Sequence, residues 1–228
     1  MPKIKAVLFD LDGTLVDSLP ELYDGVRRAL LEIGQPVPSQ DAVRDMIGRG
    51  VSVLAERVRQ YLHLTDNDVT QETLLGLFVK YWALSDGRQT TFFPGVLEAM
   101  TTLKSQGISV GLVTNKWREL TLEFLAQRGL QTFFDVIIAG DDCPRNKPAP
   151  DMLLKAMETL HVLPVETVMV GDSRNDALAA RSAGVVAALV ETGYNEGVPI
   201  SEWAREAGFT HVYPTACKVC ELISKQRF

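Results

Sequence analysis

The sequence predicts an α/β protein, a parallel sheet flanked by helices and interrupted early by an all-helical insertion. Three observations carry this. Short apolar runs alternate with helical patterns through most of the chain, and such alternation implies parallel strands joined by right-handed crossovers. Residues 17–88 break that rhythm, with helical periodicity and no convincing strand. The chain has 228 residues, 46% of them hydrophobic, enough for a full core and for one large domain or a domain plus an insertion.

Taken in order, Ile4–Phe9 reads as a buried strand. In the insertion, Leu22, Val26, Ala29, Leu30 and Ile33 recur at helical spacing, as do Val51, Leu54, Val58 and Leu62. A third helical pattern covers about 68–85, and Phe93-Pro94-Gly95 marks the return to the sheet. The expected division is therefore a core of residues 1–16 and 89–228, with the insertion at 17–88. Ser109–Val113, Val136–Ala139, Thr167–Val170 and Val185–Val190 read as further strands. Helical patterns near 95–106, 117–128, 150–160 and 174–183 alternate with them. A weaker strand, Thr210–Tyr213, and a helix, Thr215–Lys225, close the chain.

Composition narrows the function. The net charge is −6 with no basic block, which argues against a nucleic-acid surface or an anionic-membrane patch. No apolar run approaches the roughly 20 residues of a membrane span. Lys3 and Lys5 lead only into a short strand-like run rather than a signal peptide, so the expected compartment is the cytoplasm. The three cysteines do not form a disulfide framework by count. Cys217 and Cys220 have the spacing of a redox or metal pair, but they fall in a predicted helix with no histidine or second pair to complete a zinc set. They read as helix residues. His63, His161 and His211 show no ligand spacing. Trp82, Trp117 and Trp203 read as packing residues, Trp117 also as a candidate for the face toward the insertion.

In open α/β sheets, ligands bind at the carboxyl ends of the strands. After the first strand come Asp10, Asp12 and Thr14; after the second, Thr114-Asn115-Lys116; after the third, Asp141, Asp142 and Lys147-Pro148; after the fourth, Gly171-Asp172-Ser173-Arg174-Asn175-Asp176. Side chains alternate with period two along a strand, so Asp10 and Asp12 share a face while Leu11 points elsewhere. With Asp172 and Asp176 they gather up to four negative charges. A divalent cation among them makes that tolerable, and hard oxygen ligands with room for water suit Mg²⁺ better than Ca²⁺ or zinc. A cation beside a lysine and hydroxyl donors suits a dianion, above all phosphate. Each feature alone also reads plainly: a turn, a helix cap, a solvated lysine. Their joint arrival at the strand ends, in this order, favours a site.

The four marks Phe9-Asp10-Leu11-Asp12-Gly13-Thr14, Val113-Thr114-Asn115, Lys147-Pro148-Ala149-Pro150 and Gly171-Asp172-Ser173-Arg174-Asn175-Asp176 resemble those of the haloacid dehalogenase superfamily of phosphotransferases. The resemblance spans nearly the whole chain. It implies a Rossmann-like core of strand order 3-2-1-4-5, with a sixth strand if Thr210–Tyr213 joins the edge, and it makes the insertion a small cap domain. Gly48-Arg49-Gly50 and Gly193-Tyr194-Asn195 bring the chain nearest the bacterial phosphoglycolate phosphatases. The implied activity is Mg²⁺-dependent hydrolysis of a small phosphate monoester through an aspartyl-phosphate, with phosphoglycolate as the first-choice substrate. Asp10 is then the nucleophile and Asp12 the acid/base. The metal is held by Asp10, the main-chain carbonyl of Asp12, and Asp172. Thr114, Asn115, Lys147 and the N–H groups of Leu11 and Asp12 grip phosphoryl oxygens. Asp176 orients metal-bound water or Lys147, while Thr14 and Ser173 divide between loop capping and site support. Arg49 either reaches a second anionic group on the substrate or forms a solvated turn. The cap, on hinges near 15–17 and 88–94, times the entry of water.

Rival activities are a dehalogenase, a phosphomutase, and a phosphatase for a sugar phosphate, pyrophosphate or nucleotide. A dehalogenase needs neither Asp12 nor Asp172. A non-enzymatic binding module on the same fold is disfavoured because no key carboxylate is lost. The expected partner is a small phosphorylated metabolite, and the chain is expected as a monomer or homodimer.

Overall fold

The structure, a computed structural model, describes residues 3–85 and 87–228. Met1, Pro2 and Asp86, which fall in the expected ranges of core and insertion, lie outside the described residues. The chain begins with β1 (Ala6–Phe9) and a two-residue β2 (Val16–Asp17), then runs through α1 (Leu19–Glu32), α2 (Gln40–Met46), α3 (Val51–Tyr61) and α4 (Gln71–Ala83). It returns by β3 (Thr91–Phe92), followed by α5 (Val96–Ser105), β4 (Ser109–Val113), α6 (Arg118–Ala126) and β5 (Val136–Ile138). Then come α7 (Asp151–Leu160), β6 (Thr167–Gly171), α8 (Arg174–Ala183), β7 (Val186–Val190), α9 (Ile200–Ala207), β8 (Val212–Tyr213) and α10 (Ala216–Ser224).

The main sheet has order β5-β4-β1-β6-β7-β8, and every pairing in it is parallel. Counting only its own strands in chain order, this is the expected 3-2-1-4-5, with Val212–Tyr213 added at the edge as a sixth. Alternation decides which core each side chain enters. Val7 and Phe9 pack with α5, α6 and α10 on one face, through Met100, Leu103, Leu125 and Val219. Leu8 packs on the other face with α7, α8 and α9, through Met152, Ala156, Ala180 and Ala204. A strand covered on both faces must be apolar throughout, and β1 is fully buried.

Helices α1–α4 enclose a separate apolar cluster that includes Val26, Leu30, Val43, Leu54, Val58, Leu74 and Phe78. β2 and β3 pair antiparallel, Val16 opposite Phe92 and Asp17 opposite Thr91, so the chain leaves and re-enters the sheet side by side. The sequence pattern predicts three helices here, whereas the structure holds four among the described residues. The extra one, α2, has only seven residues, too few for a periodic signal, and is started by the Ser39 hydroxyl accepting from the Ala42 N–H. β2 and β3 escape prediction for the same reason of length. Among the described residues, no helix is long and apolar enough to cross a membrane.

Candidate active site

The register of the central strands assembles the site. Phe9 lies opposite Leu112 on one side and Val170 on the other, so β1, β4 and β6 end level. Asp10, Thr114 and Asp172 therefore emerge on one edge. The Asp10 N–H continues the ladder to the Val170 carbonyl at 2.9 Å. Leu11 turns into the core, only 1% exposed, while Asp10 and Asp12 both line a cavity above the sheet. The alternation read from the sequence thus holds at the strand end.

Lys147 is the charge centre. It is buried, and its ammonium donates to Asp176 at 2.6 Å and to the Val113 carbonyl at 2.8 Å, with Asp10 at 3.0 Å. Burial works against its charge, yet Asp10 and Asp176 outweigh that and hold its pKa above the ordinary lysine value. The Asn115 amide fixes the lysine loop: it donates to the Lys147 carbonyl at 2.9 Å and accepts from the Lys147 N–H at 3.1 Å. Both ends of that amide are engaged, so the Asn115 side chain acts as a clamp on Lys147. The Thr114 hydroxyl accepts from the Lys116 N–H at 3.2 Å and borders the cavity.

Asp172 is held at both oxygens, by the Thr14 hydroxyl at 2.7 Å and by the Tyr194 N–H at 2.7 Å. Asp176 closes a capping box on α8, accepting from the Ser173 N–H and hydroxyl at 3.1 and 2.6 Å while its other oxygen meets Lys147. Thr14 and Ser173 thus support carboxylates and do not themselves enter the cluster.

Carboxylate oxygens of Asp10, Asp172 and Asp176 lie within 4.8 Å of one another. Burial pushes the Asp10 carboxyl up to about 7, with Lys147 opposing and Asp176 adding to the rise. Burial, then Asp176 and Asp10, push Asp172 well above the usual carboxylate range against the hydrogen bonds from Tyr194 and Thr14. Three carboxylates face one ammonium, leaving a surplus of negative charge in a poorly solvated place. The donors are all hard oxygens, without histidine or cysteine. This set fits a hard divalent cation such as Mg²⁺.

The cavity measures about 750 Å³ with its open mouth included. Its floor is polar, formed by Asp10, Asp12, Thr114, Lys116, Lys147 and Asp172. Its roof is largely apolar and comes mostly from the helical unit, through Leu22, Ile47, Val51, Leu54 and Trp82, joined by Trp117. Lys116 lies 3.3 Å from Asp12. Arg49 sits between two lining glycines, but its guanidinium is turned to Glu196, Nε to Oε1 at 2.9 Å. Lys116, Tyr194 and Trp82 are among the lining residues to which sequence reasoning gave no functional role. Lys116 stands in the strand-end stretch Thr114-Asn115-Lys116 but was given no role, and Tyr194 follows β7, a strand end the same rule could have included. Trp82 is brought there only by the packing of α4, where its indole N–H donates to the Leu22 carbonyl at 3.3 Å. Asp141 and Asp142, also at a strand end, serve structure: Asp141 accepts from the Arg118 N–H at 2.7 Å, and Asp142 pairs with the Arg118 guanidinium at 2.5 Å.

Comparison with known proteins agrees with this arrangement. A family profile for haloacid dehalogenase-like hydrolases matches residues 7–190. The chain is 40% identical over 198 residues to a phosphoglycolate phosphatase of Pseudomonas putida, covering 86% of this chain and 72% of that protein. It is 34% identical to a phosphoglycolate phosphatase of Thiobacillus denitrificans, covering 97% of this chain and 96% of that one. Its fold superimposes with a TM-score of 0.87 on the crystal structure of a predicted phosphoglycolate phosphatase from Haemophilus somnus, at 29% identity, covering 97% of this chain and 99% of the other. With 184 consecutive residues matched and the site residues converging at the strand ends, the chain belongs to the haloacid dehalogenase-like hydrolase family and is an enzyme.

Proposed function

We propose that this protein is a Mg²⁺-dependent phosphatase that hydrolyses a small phosphate monoester, with 2-phosphoglycolate as the favoured substrate. The observation that carries the reading is the meeting of Asp10, Asp172 and Lys147 beneath one cavity at the level ends of β1, β4 and β6. The names of the most similar relatives support the choice of ester.

Asp10 attacks phosphorus in line, forming an aspartyl-phosphate as the ester oxygen leaves. Asp12, across the turn and also on the cavity floor, protonates that oxygen. It then takes a proton from the water that opens the intermediate, returning Asp10 and releasing phosphate. Lys147 neutralises phosphoryl charge and keeps Asp10 aimed, with Thr114 and the main-chain N–H groups of Leu11 and Asp12 completing the cradle. The Leu11 N–H donates to Asp10 itself at 2.7 Å, which orients the attacking carboxylate. Mg²⁺, when bound by Asp10, the Asp12 carbonyl and Asp172, screens the repulsion between the nucleophile and an anionic ester. For the second anionic group of 2-phosphoglycolate, Lys116 on the cavity floor and Arg49, between the lining residues Gly48 and Gly50, are the cations at hand.

Helices α1–α4 act as the cap over residues 17–88, hinged at β2 and β3. Their apolar roof excludes water from the cradle when seated. The test is a panel of 2-phosphoglycolate, sugar phosphates, nucleotides and pyrophosphate assayed with Mg²⁺. The expected outcome is the highest kcat/KM for 2-phosphoglycolate. Turnover of none of them would defeat the phosphatase reading, and a clear preference for another ester would defeat the substrate.

A further inference from the structure

The loop after β7 is used by no step above, yet it touches the site and the helical unit together. The Thr192 hydroxyl donates to the Gly13 carbonyl at 2.7 Å. Gly193 lies so close to Asp172 that any Cβ there would collide with the carboxylate. The Tyr194 N–H holds Asp172 at 2.7 Å, while the phenol reaches the other way, to the start of α1. There its hydroxyl donates to Asp17 at 2.7 Å and accepts the N–H groups of Ser18 and Leu19 at 3.1 and 3.0 Å. Main-chain donors at a helix start have no acceptor within their own helix; the phenol oxygen takes the Ser18 N–H and shares the Leu19 N–H with Asp17 Oδ1 at 3.1 Å. Two residues on, Glu196 accepts from Arg49 and Arg57 of the helical unit at 2.9 and 3.0 Å.

We propose that Tyr194 is a positioning residue that ties the seating of the helical unit to the aim of Asp172. The inference rests on the phosphatase reading above. Tyr194 is buried and its ring is pinned at the tip, so ring and main chain move as one body. The segment 17–19 is the root of the helical unit. If that root shifts, the phenol follows and draws the Tyr194 N–H off Asp172. Asp172 then keeps only the Thr14 hydroxyl of its two hydrogen bonds. The acidic cluster is correctly arranged for a cation only while the helical unit is seated. Partners that orient a metal ligand commonly change metal affinity by ~10–100-fold when removed.

The experiment is Tyr194→Phe, which keeps the ring and the N–H and removes the hydroxyl. Calorimetric titration of the substrate-free protein with Mg²⁺ should show about a tenfold weaker dissociation constant. At fixed sub-saturating Mg²⁺, kcat should fall by a similar factor with KM for the ester unchanged. Asp17→Ala should reproduce this from the other end of the tie, and Asp17→Asn, which retains an acceptor oxygen, should restore wild-type Mg²⁺ affinity. That pair decides the matter even if Tyr194→Phe does not fold. Wild-type Mg²⁺ affinity in Tyr194→Phe, or equal affinities in Asp17→Ala and Asp17→Asn, would overturn the coupling, as would a lowered Tm with nothing else changed. A wild-type protein that neither binds Mg²⁺ nor cleaves any ester marks the separate failure of the phosphatase reading, and the coupling falls with it.

Discussion

Asp10 sits where folding alone would not put a carboxylate. It follows a fully buried strand and shares its surroundings with Asp172 and Asp176, against the single ammonium of Lys147. Function accounts for that arrangement better than stability does. Asp10→Asn should therefore abolish turnover, by at least about 10³-fold, because the attacking oxygen is lost. Its Tm in the presence of a chelator should not fall below that of the wild type, since one of three crowded charges is removed. Surviving turnover in steady-state assays would sink the nucleophile assignment. At this scale the pair Asp10 and Asp12 was legible from period-two alternation alone. The engagement of Asn115 with Lys147, and of Arg49 with Glu196, was not, because each partner lies at least 32 residues away in sequence.

Among elements, the loop after β7 also joins the sheet to the helical unit through the Glu196 carboxylate. Burial favours the neutral form of Glu196, but the Arg57 hydrogen bond and the charges of Arg57, Arg49 and Arg174 outweigh it and hold its pKa below the ordinary value of 4.5. A depressed carboxyl contributes stability that is whole above its unfolded pKa and lost as pH falls through the folded one. The wild type should exceed Glu196→Gln by about 1 kcal/mol at pH 7, a modest figure because the arginines are partly exposed. That margin should close only as pH drops below 4.5. Urea melts of both proteins from pH 7 to pH 3 measure it, and a margin constant across that range would refute the charge-based clasp. The long helices were readable because one-sided burial imposes a period on them, and the sheet strands because burial on both faces makes each a short apolar run. β2, β3 and α2 were not, since two or seven residues carry no period and their existence depends on partners elsewhere.

For the molecule as a whole, the polar floor and the apolar roof of the cavity come from different units, and the floor carries surplus negative charge. Removal of divalent ions with a chelator should lower hydrolysis by at least about 100-fold, and added Mg²⁺ should restore it. Undiminished rates in the chelator would count decisively against the proposed chemistry. The strand order was implied by the family resemblance; the sequence by itself determined a parallel sheet and the four acidic and basic marks at the strand ends. Those follow from local alternation and from the rule that binding sites gather where parallel strands end. Only the tertiary structure decided that Trp82 and Leu22 roof those marks, that Tyr194 joins Asp172 to the root of α1, and that Glu196 takes Arg49. The physical reason is that these contacts join residues far apart in the chain. They depend on how α1–α4 seat on the sheet, and no local periodicity records that.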